Sequence, residues 1–339
     1  MTTPPEPPPP SSLSTALNII GRCFTVVVIL ALLAPFLVVG SFFIPGPLTQ
    51  DGDIVIAHGT GVAEIGEQLA SEHAIYSASL FYIAARVIGG GSLKAGEYDV
   101  PAHSSMVSIV LMMHEGHSII RLFTVAEGLT SYEIVHLLNA DPVLTGSIDT
   151  IPAEGSLLPE TYRYSYGDSR AGLVARMQKS MQEKINEAWA SREAGLPLQS
   201  PHEAVVLASI VEKETGKPDE RPRIAGVFYN RLRMNMRLQS DPTVIYAITG
   251  GKEAMNHILS HEDLTFASPI NTYTSDGLPP QPICNPGFAA MEAVLHPEHN
   301  SFLYFVADGT GGHAFAADLA THNENINRWH QALDKANRQ

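Results

Sequence analysis

The sequence predicts an α+β protein carried behind one membrane-spanning helix, with a small α+β module first and a larger mixed α+β domain after it. Three observations predict this. Residues 23–44 run for 22 positions without a charged side chain, long enough as a helix to cross the hydrocarbon layer of a bilayer. Beyond them, short β-branched runs closed by glycine alternate with stretches whose apolar residues recur at helical spacing. One of those stretches, ASIVEKET at 208–215, sets a single carboxylate, Glu214, on the apolar side of a helix. The expected organisation is a disordered tail over 1–22, the span over 23–44, the small module over 50–140 and the larger domain over 141–339.

The start of the chain is rich in proline and serine, which suits a disordered segment. Pro35 interrupts the apolar run, but membrane helices tolerate proline better than soluble ones do. A cleaved signal peptide is the alternative, since Arg22 precedes the run; no A-x-A-like site follows it, and SFFIPGP is a poor cleavage context. After Arg22 the next lysine or arginine is Arg86, so the positive-inside rule keeps the tail in the cytoplasm and sends the rest across. The net charge of −14 argues against nucleic acid as a partner, because phosphate backbones are bound by basic footprints. Cys23 and Cys284 are the two cysteines. One borders the membrane and the other lies far along the exported part, so no intrachain disulfide and no zinc site is expected.

The small module contains an internal repeat. Ile54-Val-Ile-Ala-His-Gly59 with Ile65 and Leu69 is matched 69 residues later by Phe123-Thr-Val-Ala-Glu-Gly128 with Ile134 and Leu138. Each copy reads as strand, glycine turn and amphipathic helix, with Thr60 and Thr130 placed to cap the helices. Residues 79–88 read as another helix, KAGEYDVP at 94–101 as a strand with a turn, and 106–113 as a buried helix. Small α+β modules of this kind resemble the LysM-type folds that hold glycan chains; a plain scaffold is the other reading. LLPETYRYSYG at 157–167 reads either as an ordered aromatic loop suited to sugar rings or as a strand whose alternate tyrosines, Tyr162, Tyr164 and Tyr166, pack on one face.

In the larger domain, residues 172–190 carry Leu173, Met177, Met181 and Ile185 as a core stripe. Ser200, Pro201 and Glu203 form an S-x-x-E start for the next helix. At about 100° per residue, Val206, Leu207, Ile210 and Val211 share one side, with Glu214 near their middle and Glu212 pointing away. A carboxyl group held against apolar walls loses hydration of its charged form; its pKa rises, and it can stay protonated near neutrality as a general acid. The competing reading is a solvated glutamate in a fraying last turn. GKPDERPR then restarts the chain as a helix over 222–233. Ser240 and Asp241 before Pro242 can cap a third helix, whose free N–H groups suit a substrate oxygen. NTYTSDGLPPQPICNPG at 271–287 is stiffened by four prolines and reads as a rigid binding wall. A helix over 288–295 and a central strand over 302–306 follow. His313 and His322 fit no metal-ligand spacing, so no metal or other cofactor is expected.

Those strings together carry a family resemblance. VEKET, DERPRIAGVFYNRLRMNMRLQSDPTVIYA, NTYTSDGLPPQPICNPG and HPEHNSFLYFVADGTGGHAFAADLATHN, with KAGEYDVP, AEGLT and LLPETY upstream, closely resemble the endolytic murein (peptidoglycan) lytic transglycosylases of bacterial cell walls. Departures are small: Ala126 stands where proline is common, Glu160 where aspartate is common, and Cys284 in a variable loop. The resemblance implies a single-pass inner-membrane protein with a LysM-like module and a periplasmic catalytic domain. The reaction implied is that of a lyase: cleavage within nascent glycan strands without water, leaving 1,6-anhydro ends, with wall synthases in the membrane as possible partners. It implies Glu214 as the single catalytic acid and base, whereas ordinary glycosidases use two carboxylates. Thr215, Asn230, Arg231, Gln239, Asp241, Asn271 and Tyr273 are the expected cleft residues, Thr215 bonding the acid and the amides meeting N-acetyl groups. Two alternatives stay open: a water-using muramidase with Asp241 or Glu220 as base, and a non-catalytic glycan-binding scaffold.

Overall fold

The computed structural model describes residues 12–336. Helix α1, Ser12–Ser41, includes an apolar stretch, Ile20–Ser41, long enough to cross a membrane and with no buried residue. The helix begins well before the span, so part of the tail expected to be disordered is helical; residues 1–11 of that expectation lie outside the described residues.

The chain divides into two compact units, one ending at Ile120 and taking in Ser165–Gly167, the other built from Arg121–Tyr164 and the chain from Asp168 on. In the first, β1 (Gly52–Ile56) precedes α2 (Val62–Ser71) and α3 (Ala78–Ile88), and β2 (Gly96–Val100) precedes α4 (Met106–Glu115). The strands pair antiparallel with Ile54 opposite Tyr98. Ile54, Ile56, Ile65, Leu69, Phe81, Tyr98, Ile109 and Met113 close one core, joined by Phe42 just after α1. Thr60 is not the cap of α2; the helix starts a residue later, Gly61 holds the cap position and no side chain caps it.

The second copy of the repeat lies in the second unit, as β3 (Arg121–Thr124) and α5 (Ser131–Ala140). Here Thr130 does cap, with Glu133 returning the bond in a full capping box. β3 pairs antiparallel with β4 (Thr161–Tyr164). The tyrosine run is therefore a strand, with Tyr162 and Tyr164 buried on one face and Tyr166 beyond its end. Next come α6 (Arg170–Ala190), α7 (Pro201–Glu214), α8 (Arg221–Arg233), α9 (Asp241–Thr249) and α10 (Phe288–Leu295). The hairpin of β5 (Tyr304–Ala307) and β6 (His313–Ala316) leads to α11 (Leu319–Ala336).

Helix α7 is the axis of this unit. Ser200 caps it by accepting from the Glu203 N–H, while the Glu203 carboxylate takes the Gln199 N–H, one residue upstream of the expected box. From Ala204 to Val211 every residue is buried, because α6, α8 and α10 all pack around the helix. The one-sided stripe read from the sequence is thus one sector of a helix that is apolar all round. Truncating Ile210 to alanine would cost about 3 kcal/mol. β5, expected as a central strand, is half of a two-stranded hairpin and only partly buried; its apolar run serves Phe305, which packs on the α7 core.

Candidate active site

Glu214 is the last residue of α7. The helix is anchored by its buried middle, so its C-terminal end presents the carboxyl group from a rigid base. The residue keeps some accessible surface, yet protein atoms crowd the carboxyl itself. That desolvation dominates and pushes its pKa from 4.5 to about 7; a hydrogen bond from Ser240 pulls down, the charge of Asp241 pushes up and that of Arg231 pulls down. A carboxyl titrating near 7 is populated both as acid and as base at neutral pH, as one group serving both steps of a proton exchange requires.

Ser240 is the structural partner of that carboxyl. It occupies the N-cap of α9, but its hydroxyl caps nothing and instead donates to Glu214 Oε1. The backbone around it is fixed from behind: the Ser240 N–H donates to Thr272 Oγ1 at 2.9 Å, and Thr272 Oγ1 bonds Thr243 Oγ1 at 2.9 Å. Beside it, Asp241 Oδ1 accepts from the Tyr273 hydroxyl at 2.6 Å. Burial and the neighbouring Asp241 raise the Tyr273 phenol well above its ordinary range, so it stays a donor. Gln239 is exposed and held at φ 49°, a left-handed backbone unusual for a residue with a Cβ. Strained backbone of this kind gathers at functional sites.

A model of the YceG-like family matches residues 54–328. The chain belongs to the YceG-like family. A YceG-like protein of Listeria monocytogenes with a solved structure is 32% identical, covering 81% of this chain and 99% of that one at a TM-score of 0.51. The endolytic murein transglycosylase of Bacillus subtilis is 28% identical over 85% of this chain and 90% of its own length. That of Streptococcus pneumoniae is 27% identical over 80% of this chain, which spans 57% of that longer protein.

Within this YceG-like chain, the structure brings Glu214, Gln239, Asp241 and Tyr273 to one place and turns four other expected cleft residues to structural work. Thr215 does not bond the acid; its hydroxyl donates to Glu220 at 3.1 Å and accepts the Lys217 N–H, because α7 ends at Glu214 and the extended backbone at Thr215 swings its side chain away. The Asn230 amide donates to the carbonyls of Asn300 and Phe302 at 2.9 and 3.0 Å, pinning α8 to the chain before β5. Arg231 is buried and donates to the carbonyls of Leu303 and Leu238 at 2.7 and 2.6 Å; it acts on the site through its charge. Asn271 is fully buried and locks its own loop, donating to Leu264 and Phe266 and accepting the Tyr273 N–H. Glu212 is structural as expected, held by Arg221 at 2.8 Å and the Gly287 N–H at 2.9 Å.

In the sequence Ser240 reads as a helix cap and nothing more. A serine before Asp-Pro reads as a cap whichever way its hydroxyl turns, so only the placement of α9 against the end of α7 reveals its second use. Glu220 is likewise settled by tertiary contacts: His313 donates to it from Nδ1 at 2.8 Å and from the backbone at 3.0 Å. Burial alone would raise its carboxyl, but these bonds and that from Thr215 outweigh it and hold Glu220 below the ordinary carboxylate value. Among the described residues no cluster of three or more potential metal ligands occurs.

Proposed function

We propose that this protein is an endolytic lytic transglycosylase that cuts peptidoglycan glycan strands between N-acetylmuramic acid and N-acetylglucosamine. The observation that carries the reading is one desolvated carboxyl, Glu214, titrating near 7 beside a hydroxyl donor that fixes its orientation. In the reaction, protonated Glu214 gives its proton to the glycosidic oxygen as the bond to the muramic anomeric carbon breaks. The C6 hydroxyl of the same sugar then closes on that carbon, and the Glu214 carboxylate removes its proton, regenerating the acid and leaving a 1,6-anhydro end. No water enters. Gln239, with its exposed amide, and the Asp241–Tyr273 pair are the groups proposed to hold the sugars on either side.

The curated relatives named endolytic murein transglycosylase support the substrate class. A water-using muramidase would have to take Asp241 as its base, because both oxygens of Glu220 are occupied by His313 and Thr215, and Asp241 Oδ1 is already engaged by the Tyr273 hydroxyl. We further propose that α1 anchors the chain in a bacterial inner membrane, with the N-terminus cytoplasmic and the second unit in the periplasm, where the LysM-like first unit holds nascent strands near membrane-bound synthases. The test is strand length: wild type added to uncrosslinked nascent strands should shorten them from the middle, and Glu214→Gln should leave them intact. Intact strands with wild type under conditions that support binding would point to a glycan-binding scaffold instead.

A further inference from the structure

Resting on the transglycosylase reading, we infer that the concavity of about 370 Å3 lined by Lys213 and Pro242, the chain neighbours of Glu214 and Asp241, holds the peptide carried by the muramic acid being cleaved. Its walls continue the two elements that meet at the acid. Lys213 precedes Glu214 at the end of α7, and Pro242 follows Asp241 at the start of α9; Ile245 and Tyr246 on α9 and Met255 beyond it supply apolar surface. The far wall is preformed. Thr130 Oγ1 donates to the Gly251 carbonyl at 2.7 Å, and Gly251 sits at φ +68° with its missing side chain pointing where Tyr246 and Thr130 leave no room, 2.6 and 2.8 Å away.

The chemistry of the lining selects peptide over sugar. In a peptide-bearing strand each muramic lactyl carboxyl is tied up in an amide, so the sugar backbone carries no charge, whereas this space combines aliphatic and aromatic surface with a cation, Lys213, and the carboxylate of Glu253, with Glu133 held in the α5 capping box. A short peptide bearing free carboxylates and an amine matches that mixture. The location fits as well: the anomeric carbon attacked in the reaction belongs to muramic acid, and the peptide hangs from the same ring, so it must lie next to the acid.

The experiment compares uncrosslinked strands carrying their peptides with the same strands stripped by an amidase. Affinities are measured on full-length Glu214→Gln, and kcat/KM on wild type. Peptide-bearing strands should bind about tenfold more tightly, with the preference appearing mainly in KM. Ile245→Trp, which fills the space, should bring the ratio of the two affinities to about one. Lys213→Ala, which alters an exposed side chain, should reduce the ratio as well, and repeats the test where the tryptophan disturbs folding. Equal affinity for both strands, or a ratio unmoved by both substitutions, would overturn the inference. Wild type that leaves no anhydro ends on either substrate would overturn the transglycosylase reading, while the affinity ratio would still decide whether the concavity takes peptide.

Discussion

Raising the pH from 4.5 to 8 should cost the second unit about 3 kcal/mol of stability that Glu214→Gln does not lose. The carboxyl titrates at about 7 in the folded protein against an ordinary 4.5, and each pH unit of that separation is worth about 1.36 kcal/mol. Below 4.5 both folded and unfolded chains hold the proton and the group contributes no pH dependence. Between the two values the unfolded chain releases its proton while the folded one keeps it, so rising pH favours unfolding; above 7 both are ionised and the loss is complete. The assay is urea unfolding of the detergent-solubilised full chain, followed by tryptophan fluorescence at several pH values. Both tryptophans, Trp189 and Trp329, belong to the second unit, so the signal reports the unit that carries Glu214. Comparing each protein with itself across pH cancels the pH-independent effect of the substitution. Wild-type and variant stabilities that run parallel from pH 4.5 to 8 would refute the claim that this carboxyl is desolvated.

Further outcomes follow from the same geometry. Ser240→Ala removes the donor that lowers the Glu214 pKa; turnover should fall about threefold to tenfold, the scale of one hydrogen bond, and the alkaline limb of the pH-rate profile should move above its wild-type position, whereas an unmoved limb would show that Ser240 does not act on the acid. Glu220 is held below its ordinary value, so its contribution is present above that value and is lost as pH falls through the folded one; acid titration of stability should be steeper in wild type than in Glu220→Gln, and identical slopes would contradict the His313 pairing. Asn271→Ala should lower stability by about 2 kcal/mol by removing the buried amide that holds the part-buried carbonyls of Leu264 and Phe266 and the Tyr273 N–H, read as a shift in urea midpoint. A variant of full stability but weak strand binding would instead make Asn271 a substrate contact.

Much of this was legible in the sequence where the signal is local. The cap at Ser200, the proline at the first turn of α7 and the breaks around α8 and α9 give helices close to those observed, whereas the one-faced stripe that sets Glu214 apart from Glu212 in the sequence dissolves in a helix buried on every side, where the Glu212 side chain is buried too. What the sequence hides is which partner a polar side chain finds. Asn230, Arg231 and Asn271 look like ligand groups because amides and guanidinium suit sugars, but each satisfies backbone carbonyls left open by loops that fold against it, a demand set by tertiary structure. The repeat shows the same limit. Its two copies share a local pattern, yet the first packs with β2 and α3 and the second falls in the other unit, because the pattern specifies an amphipathic helix and not the surface that buries it.

Mass spectrometry of the strand ends produced in water labelled with heavy oxygen distinguishes closure by the C6 hydroxyl from attack by water. A lytic transglycosylase leaves 1,6-anhydro-muramic ends that carry no label, and these should disappear with Glu214→Gln. Reducing ends that carry the label would contradict that reading, since they would show that water, and not the C6 hydroxyl, attacks the anomeric carbon.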